Sequence, residues 1–257
     1  TINWGDRMKK LLTYILLSLI LILICIPASA KTGQELLKLA QQRSNFYNQS
    51  QVITMKTTIN KQQETDKATL KIYVYQGGKK ELVSFTAPQR LADQKYLVIG
   101  SNTWLHQEGL RRPIRISARQ KLFGDAGIGE TVGIDYYNQY NIQKVTKDNS
   151  LYTLKLKAKT KQTTYQQAKA WITKDGYFKK VILKAVNGSP LKKIEYQDYR
   201  KINNHEVANL VIKNLLHQQN RTTTLKYINI EQKKLPAKAF QPLMMDKFKL
   251  LIKQAGD

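Results

Sequence analysis

Hydrophobic residues alternate with polar residues along most of this chain. Leu70, Ile72 and Val74 are separated by single residues, a Gly-Gly pair follows at 77–78, and the alternation resumes over residues 80–86. A period of two indicates strands with one buried face, and a Gly-Gly pair suits the positive φ angles of a tight hairpin. The same signals predict further strands over residues 94–100, 102–107, 142–146, 151–159, 167–173, 177–185, 191–199, 206–216 and 222–230.

Short turns join the predicted strands, and four of them contain residues that tolerate left-handed backbone, at 148–149, 175–176, 187–188 and 203–204. Parallel neighbours would need crossover helices, which the sequence lacks here. Leu154 and Leu156 alternate with lysines, so one face of the sheet is exposed to solvent. The other, apolar face must be buried, either because the sheet curls around it or because helices pack on it. The prediction is a mainly β (α+β) domain: a single strongly curved antiparallel sheet, an incomplete barrel of about 11 strands.

Two segments depart from this period and predict helices. Over residues 34–47, one helical face carries apolar side chains and the opposite face is polar. The apolar positions are Leu36, Leu39, Ala40, Phe46 and Tyr47. We expect this amphipathic helix to pack on the core, with docking on a membrane surface as the alternative. Residues 235–251 are rich in Pro, Met and Phe, and predict a turn and a short helix that docks on the sheet.

Residues 104–140 have no clear period and contain several glycines. Long irregular segments in compact domains are often lids or binding loops, so a lid with short helices within residues 117–140 is the working hypothesis. Arg111, Arg112 and Arg115 interleave with apolar residues in the first part of this segment. This pattern allows two interpretations: a gate of arginines above an apolar cavity, or an ordinary strand with Ile114 and Ile116 inward and the arginines in solvent.

The N-terminal region has the features of a secretory signal peptide. Met8 and two lysines precede an apolar run over residues 11–27, and Ala-Ser-Ala follows at 28–30. We predict cleavage after Ala30, with residues 1–7 lying upstream of the translation start and residues 31–257 forming one domain. An uncleaved membrane anchor is the alternative. Cys25 follows Ile24, where lipid attachment would need a small residue.

Charge and cysteine content follow from this prediction. The formal net charge is +25, from 43 Lys and Arg against 18 Asp and Glu, and the excess is spread along the chain. Nucleic acid is the usual partner of such a chain. An exported protein rarely meets nucleic acid, so anionic lipid head groups or an acidic partner surface are favoured instead. Cys25 is the single cysteine, so the mature chain would contain no disulfide.

The sequence contains no convincing catalytic or metal-binding constellation. His106, His205 and His217 lack the spacing of metal ligands. Asp125 and Glu130, with Asp135 nearby, could perform acid/base chemistry, but carboxylates among glycines are more often helix caps or partners of basic residues. We therefore predict a protein that is not an enzyme and that has no cofactor or metal.

Several short motifs, in order along the chain, resemble the periplasmic outer-membrane lipoprotein-sorting family, the LolA/LolB-like superfamily in its longer branch. They are Leu70-Lys-Ile-Tyr-Val, Phe85-Thr-Ala-Pro88, Tyr96-Leu-Val, Trp104-Leu105, Arg111-Arg-Pro-Ile-Arg-Ile116 and Phe123-Gly-Asp125. The chain departs from the family where Ala-Gly-Ile-Gly follows at 126–129, and it is longer than the classical carrier. The missing lipobox disfavours the membrane-anchored branch.

The resemblance implies an incomplete barrel around apolar helices, with a cavity for a lipid, lipoprotein acyl chains or a similar hydrophobic ligand that is moved toward the outer membrane. The alternative is a periplasmic accessory of a resistance-nodulation-division (RND) export system without a ligand cavity. The expected partners are a lipid or lipoprotein acyl chains, an inner-membrane RND-type transporter or an outer-membrane acceptor, and no nucleic acid. The expected cavity wall comprises Leu70, Ile72, Val74, Phe85, Leu97, Trp104, Ile114, Ile116, Phe123 and Tyr137. The expected lid or gate comprises Arg111, Arg112, Arg115 and Asp125.

Overall fold

The computed structural model describes residues 32–44, 49–61, 65–216 and 221–255. The predicted signal peptide and its cleavage site lie outside these ranges, as do Phe46, Tyr47 and His217. The chain divides into two units, Thr1–Thr32 and Gly33–Asp257, and the second contains every element named below. Within the described ranges, no helix combines the length and apolar character needed to cross a membrane.

The second unit is built mainly from strands. Its helices are α1 (Gly33–Ser44), α2 (Ile128–Val132), α3 (Tyr136–Gln139) and α4 (Phe248–Gln254), with 3-10 turns at Gln89–Leu91, Ala237–Phe240 and Pro242–Met244. Its strands are β1 (Gln51–Asn60), β2 (Thr65–Tyr75), β3 (Lys80–Ala87), β4 (Lys95–Ile99), β5 (Asn102–His106), β6 (Ile114–Ile116), β7 (Lys121–Phe123), β8 (Ala126–Gly127), β9 (Tyr140–Asp148), β10 (Leu151–Ala158), β11 (Gln167–Thr173), β12 (Phe178–Lys184), β13 (Pro190–Ile202), β14 (His205–Asn214) and β15 (Thr222–Gln232).

Thirteen strands form one antiparallel sheet in the order β6-β5-β4-β3-β2-β1-β15-β14-β13-β12-β11-β10-β9. The remaining two, β7 and β8, form a separate hairpin. The sheet is curved and is not closed into a barrel, because its edge strands β6 and β9 do not pair with each other. The predicted fold class is confirmed, with more strands than the sequence pattern indicated.

The two faces of the sheet carry separate cores. On the inner face, Leu70, Ile72 and Val74 are fully buried and belong to the larger core, which α1 covers with Leu36 and Leu37. The predicted helix is observed over Gly33–Ser44, and its residues 45–47 lie outside the described ranges. It buries Leu37, whereas Leu39 is only partly buried.

The C-terminal tail covers part of the outer face, over strands β1 to β5. Phe240 stacks on Tyr75 with ring centroids 5.1 Å apart, and Phe248 meets the Tyr73 ring edge-on at 4.8 Å. Both phenylalanines are fully buried, and burying such a side chain stabilises the fold by about 1.5–3 kcal/mol. The predicted docking of the tail on the sheet is confirmed.

Residues 117–139, here called the crossing segment, connect the two open edges of the sheet. The chain leaves edge strand β6, forms the β7–β8 hairpin, α2 and α3, and enters the opposite edge strand β9. Leu122, Phe123, Ile128, Val132 and Tyr136 belong to the inner core. The irregular part of the sequence therefore lies against the inner face of the sheet, where it can form one wall of a cavity.

Candidate ligand-binding cavity

Asp125 fixes the first half of the crossing segment to the centre of the sheet. Its buried carboxylate accepts a hydrogen bond from Arg221 Nη2 at 2.6 Å, and its backbone N–H donates to Thr223 Oγ1 at 2.7 Å. Gly124 beside it has φ +60°, and a Cβ there would lie 2.3 Å from Thr223 Oγ1 and 2.8 Å from Ile59 Cγ1. Only glycine permits both this backbone conformation and this close approach.

Glu130 fixes the second half of the crossing segment to strand β13 of the sheet. Its fully buried carboxylate accepts hydrogen bonds from Lys192 Nζ at 2.7 Å, from the Gly127 backbone N–H at 2.5 Å and from the Tyr165 hydroxyl. Burial, reinforced by the adjacent Glu130 carboxylate, raises the pKa of Tyr165, so this phenol stays protonated and donates. The buried charge is therefore paired and satisfied by several donors, which is the condition under which a buried ion pair is tolerated.

Tyr136 joins the end of the crossing segment to α1 and the sheet. Its backbone N–H donates to Gln41 Oε1 at 2.7 Å, and its ring lies 5.3 Å from that of Phe178. Phe178 in turn stacks on Tyr196 at 5.3 Å. The Asp135 side chain caps α3 by accepting from the backbone N–H of Asn138 at 2.9 Å.

A cavity of about 770 Å³ lies between the α2–α3 part of the crossing segment and the inner face of the sheet. Its volume is within the range of about 300–1,000 Å³ typical of small-molecule sites. The aliphatic side chains of its wall are those of Val98, Ala118, Val132, Ile134, Ile194, Val207, Ala208 and Leu210. The β2–β3 hairpin at 77–79 and the β4–β5 turn at 100–101 also line it.

The same wall contains four tyrosines, Tyr136, Tyr196, Tyr199 and Tyr227. Burial raises the pKa of Tyr196 to about 12, and burial also raises the pKa of the other three. These phenols are therefore neutral at physiological pH, and a neutral phenol can both donate and accept. The Tyr199 hydroxyl donates to the Phe178 carbonyl oxygen at 2.7 Å. A mixed wall of aliphatic side chains and phenols suits an amphiphilic molecule better than a purely apolar one.

Glu81 is the most unusual residue of the wall. Its side chain is on the inner face of β3, shares that face with Val83 and Phe85, and is only 7% exposed. Within the described ranges, the structure assigns its carboxyl no hydrogen bond and no ion pair. Burial alone raises the pKa of Glu81 well above its ordinary value. Burial without a neighbouring cation disfavours the charged form of this carboxyl and shifts its protonation equilibrium toward the neutral acid.

Arg43 is at the rim of the cavity, in the last turn of α1. Its guanidinium lies 4.4 Å from the centre of the Tyr177 ring and donates to Glu206 Oε2 at 3.0 Å. The Tyr177 hydroxyl donates to the same carboxylate at 3.0 Å. This cluster fixes the C-terminal end of α1 to the start of β14.

None of the sequence-predicted wall residues lines this cavity. Leu70, Ile72, Val74, Phe85 and Phe123 do lie on the inner side, but they are buried in the core, where the rings of Phe85 and Phe123 are 6.3 Å apart. Ile116 and Tyr137 are partly buried against that core. These seven residues therefore share the inner side of the sheet with the cavity but do not line it.

Other predicted site residues are elsewhere. Leu97 and Trp104 belong to the outer core beneath the tail, because the alternation of β4 and β5 directs them away from the inner face. Ile114 is exposed on edge strand β6.

The three predicted gate arginines do not line this cavity. Arg111 and Arg112 are exposed, and Arg115 donates to Asn102 at the sheet edge. The alternative was a strand with Ile114 and Ile116 inward and arginines in solvent; in the structure only residues 114–116 of this stretch form a strand, with Ile116 partly buried and Ile114 exposed. Asp125 is a buried anchor of the crossing segment and does not line the cavity.

Sequence reasoning missed Glu81 and the four tyrosines. Glu81 alternates with Val83 and Phe85, so its position on the apolar face was readable once the hairpin was recognised. The tyrosines come from strands far apart in sequence, and only the sheet order brings them together. The acids considered for catalysis have structural roles: Asp125 and Glu130 are paired with basic residues, and Asp135 caps α3. Within the residues that the structure describes, no group of His, Cys, Asp and Glu could hold a metal ion.

The fold is similar to those of several proteins of known structure. A LolA superfamily protein from Nitrosomonas europaea superposes with a TM-score of 0.73 at 20% identity, covering 82% of this chain and 98% of that one. A putative outer membrane lipoprotein-sorting protein domain from Vibrio parahaemolyticus gives 0.66 at 20% identity, covering 83% and 97%. A DUF1329 family protein from Desulfovibrio piger gives 0.66 at 19% identity, covering 82% and 97%.

These likenesses show that the fold is that of the LolA superfamily, as the sequence motifs indicated. No curated protein matches the chain. A family model described as "Uncharacterized protein" matches residues 77–247, a span from the β2–β3 hairpin to the residue before α4 that includes the crossing segment. The chain therefore belongs to this family of uncharacterized proteins, within a LolA-like fold.

Proposed function

We propose that this protein is a non-enzymatic periplasmic carrier that binds a lipid or another acylated amphiphile in the cavity beneath the crossing segment. The cavity of about 770 Å³, with its aliphatic and phenolic wall, is the observation that carries the proposal. Transfer of apolar chain from water would drive binding, at roughly 0.8 kcal/mol per methylene. The lipoprotein-sorting domain among the structural relatives supports a cargo that contains acyl chains.

In this proposal Glu81 and the tyrosine hydroxyls receive the polar end of the cargo. A buried protonated carboxyl has both a donor and an acceptor, and phenols offer the same pair of functions. An amphiphile with a hydroxyl or amine near its acyl chains could hydrogen-bond with these groups. A plain hydrocarbon would leave the buried Glu81 carboxyl without a hydrogen-bond partner, which costs binding free energy.

The crossing segment would be the fixed wall of the site. Its two buried ion pairs, through Asp125 and Glu130, hold it on the sheet. Opening toward the ligand would then occur at the rim, where the hairpin turns and the α1 end line the cavity. Delivery toward the outer membrane, after export and cleavage of the predicted signal peptide, completes the proposed role.

A fluorescent fatty-acyl probe tests the cavity. Val98 is partly buried on the wall, whereas Val186 is 76% exposed on a distant turn. Val98→Trp should narrow the cavity, because an indole ring replaces an isopropyl group on its wall, and should weaken saturable probe binding at least tenfold. Val186→Trp should leave probe binding unchanged. Thermal unfolding of both variants confirms that they fold. Equal binding by the two folded variants would contradict the proposal.

The alternative role, an accessory of an RND-type exporter without a ligand, makes a different prediction. Mass spectrometry of lipid extracted from protein purified without detergent should find a bound amphiphile if the carrier proposal holds. An accessory protein would instead carry no lipid and would bind its partner with a strong salt dependence. The presence or absence of a co-purified amphiphile therefore distinguishes the two roles, even when the identity of the cargo is unknown.

A further inference from the structure

A row of lysines crosses the outer face of the sheet at one register. Antiparallel pairing places Lys144 opposite Lys155 and Lys155 opposite Lys169. Lys169 is opposite Ile182, which is opposite Lys193, and Lys193 is opposite Lys213. The row therefore contains Lys144, Lys155, Lys169, Ile182, Lys193 and Lys213 on six neighbouring strands, β9 to β14. We call it the lysine row.

The lysine row is on the side away from the cavity. The residues next to it along each strand, such as Leu154, Ala170 and Ile194, are buried in the inner core. The row residues themselves are exposed or partly exposed. Adjacent strands are about 4.8 Å apart, so the six positions extend over roughly 24 Å.

Further basic side chains widen the row into a basic surface. Lys157 and Lys180 are on the same face, and Trp171 lies between two lysines, with Lys169 Nζ 4.6 Å and Lys180 Nζ 4.2 Å from its ring centre. The acidic residue Glu195 pairs with Lys193 at 2.8 Å. Among the described residues, the other four lysines of the row have no ion-pair partner.

Such an arrangement is unfavourable in isolation. Like charges directly opposite each other on neighbouring strands repel, whereas opposite charges would stabilise the sheet. The other half of the outer face, over strands β1 to β5, is apolar and is covered by the C-terminal tail. A basic surface left open across six strands is complementary to an extended negatively charged plane.

We propose that the lysine row is a docking surface for an anionic lipid bilayer. A row of ammonium groups about 24 Å long on the face of a sheet can approach many head groups at once, and each lysine near an anionic surface strengthens binding about fivefold. The cavity opens on the inner face, so docking through the outer face leaves the cavity rim free of the membrane contact. The proposal does not depend on the identity of any ligand in the cavity.

The test compares two variants with the same net charge. In one, Lys144, Lys155, Lys169 and Lys213 are changed to Gln. In the control, the exposed tail lysines Lys234, Lys238, Lys247 and Lys253 are changed to Gln. Binding to phosphatidylglycerol-containing vesicles and to pure phosphatidylcholine vesicles is measured by co-sedimentation over a range of salt concentrations.

We expect the wild-type protein to bind the anionic vesicles only, with an affinity that falls as salt rises. The row variant should lose at least about 100-fold in affinity, and the control variant less than tenfold. Equal losses in the two variants would overturn the proposal, since net charge alone would then explain binding. Binding of wild-type protein to an acidic polypeptide or an oligonucleotide, but not to anionic vesicles, would also overturn it. The urea midpoint of the row variant verifies folding.

Discussion

Two buried glutamates face the interior of this protein in opposite circumstances. Glu130 is surrounded by donors, with the Lys192 ammonium 2.7 Å away, whereas Glu81 has burial but no cation. The first carboxylate stabilises a particular path of the chain, because its partners come from the sheet, a loop and the crossing segment itself. The second contributes nothing comparable to the fold. The contrast separates a structural acid from one whose surroundings suit a ligand.

The largest predicted effect concerns the structural acid. Glu130→Ala would leave Lys192 buried without its partner, and we expect a loss of about 3–5 kcal/mol in the free energy of unfolding. Urea denaturation measures this loss. The control is Glu195→Ala, which breaks the half-exposed pair with Lys193 and should cost at most about 1 kcal/mol. Similar losses in both variants would contradict the assigned role of Glu130.

A smaller effect is expected at the other attachment of the crossing segment. Gly124→Ala combines a positive φ with a clash against Thr223 and Ile59, and should cost about 2–4 kcal/mol. Gly109 also has positive φ, yet nothing lies within 4 Å of an added Cβ. Gly109→Ala should therefore cost only about 1 kcal/mol of backbone strain. If the two variants unfold at the same urea concentration, the close packing at Gly124 is not important.

The smallest effect concerns Glu81 and depends on pH. Because burial raises its pKa in the folded protein, the carboxyl costs no stability below its unfolded pKa of about 4.3, and the cost grows as pH rises toward the folded pKa. Glu81→Gln should therefore be more stable than wild type at pH 8, by about 1–2 kcal/mol, and equal to it near pH 4. Thermal melts across this range measure the difference. A difference independent of pH would show that Glu81 is not buried as a carboxyl without a charged partner.

Most of the fold could be predicted from the sequence because strand alternation and turn chemistry are local signals. The inner positions of β2 and β10 follow directly from the alternation of Leu70 and Leu154 with lysine neighbours. The site was harder to predict. Which strands face each other across the cavity depends on sheet order, and no local signal places Tyr227 of β15 beside Tyr196 of β13.

The predicted wall and gate residues that lie away from the cavity share one cause. The irregular region begins at Trp104, which makes this residue a cavity candidate, although its strand neighbour Leu105 occupies the inner face. Arg115 is a gate candidate because it lies near apolar residues, but these belong to edge strand β6. Alternation predicts which side chains of a strand share a face, but it shows which of the two faces is the inner one only when the position of one residue of that strand is known.

The central claim is that an acylated amphiphile occupies the cavity beneath the crossing segment. A photoreactive fatty-acyl probe, crosslinked to the purified protein and mapped by peptide mass spectrometry, tests it most directly. We predict crosslinks on Ile194, Tyr196 and Leu210, which line the cavity, and their loss in Val98→Trp. Crosslinks confined to the outer core at Phe240 and Phe248, or a pattern unchanged by Val98→Trp, would contradict the claim.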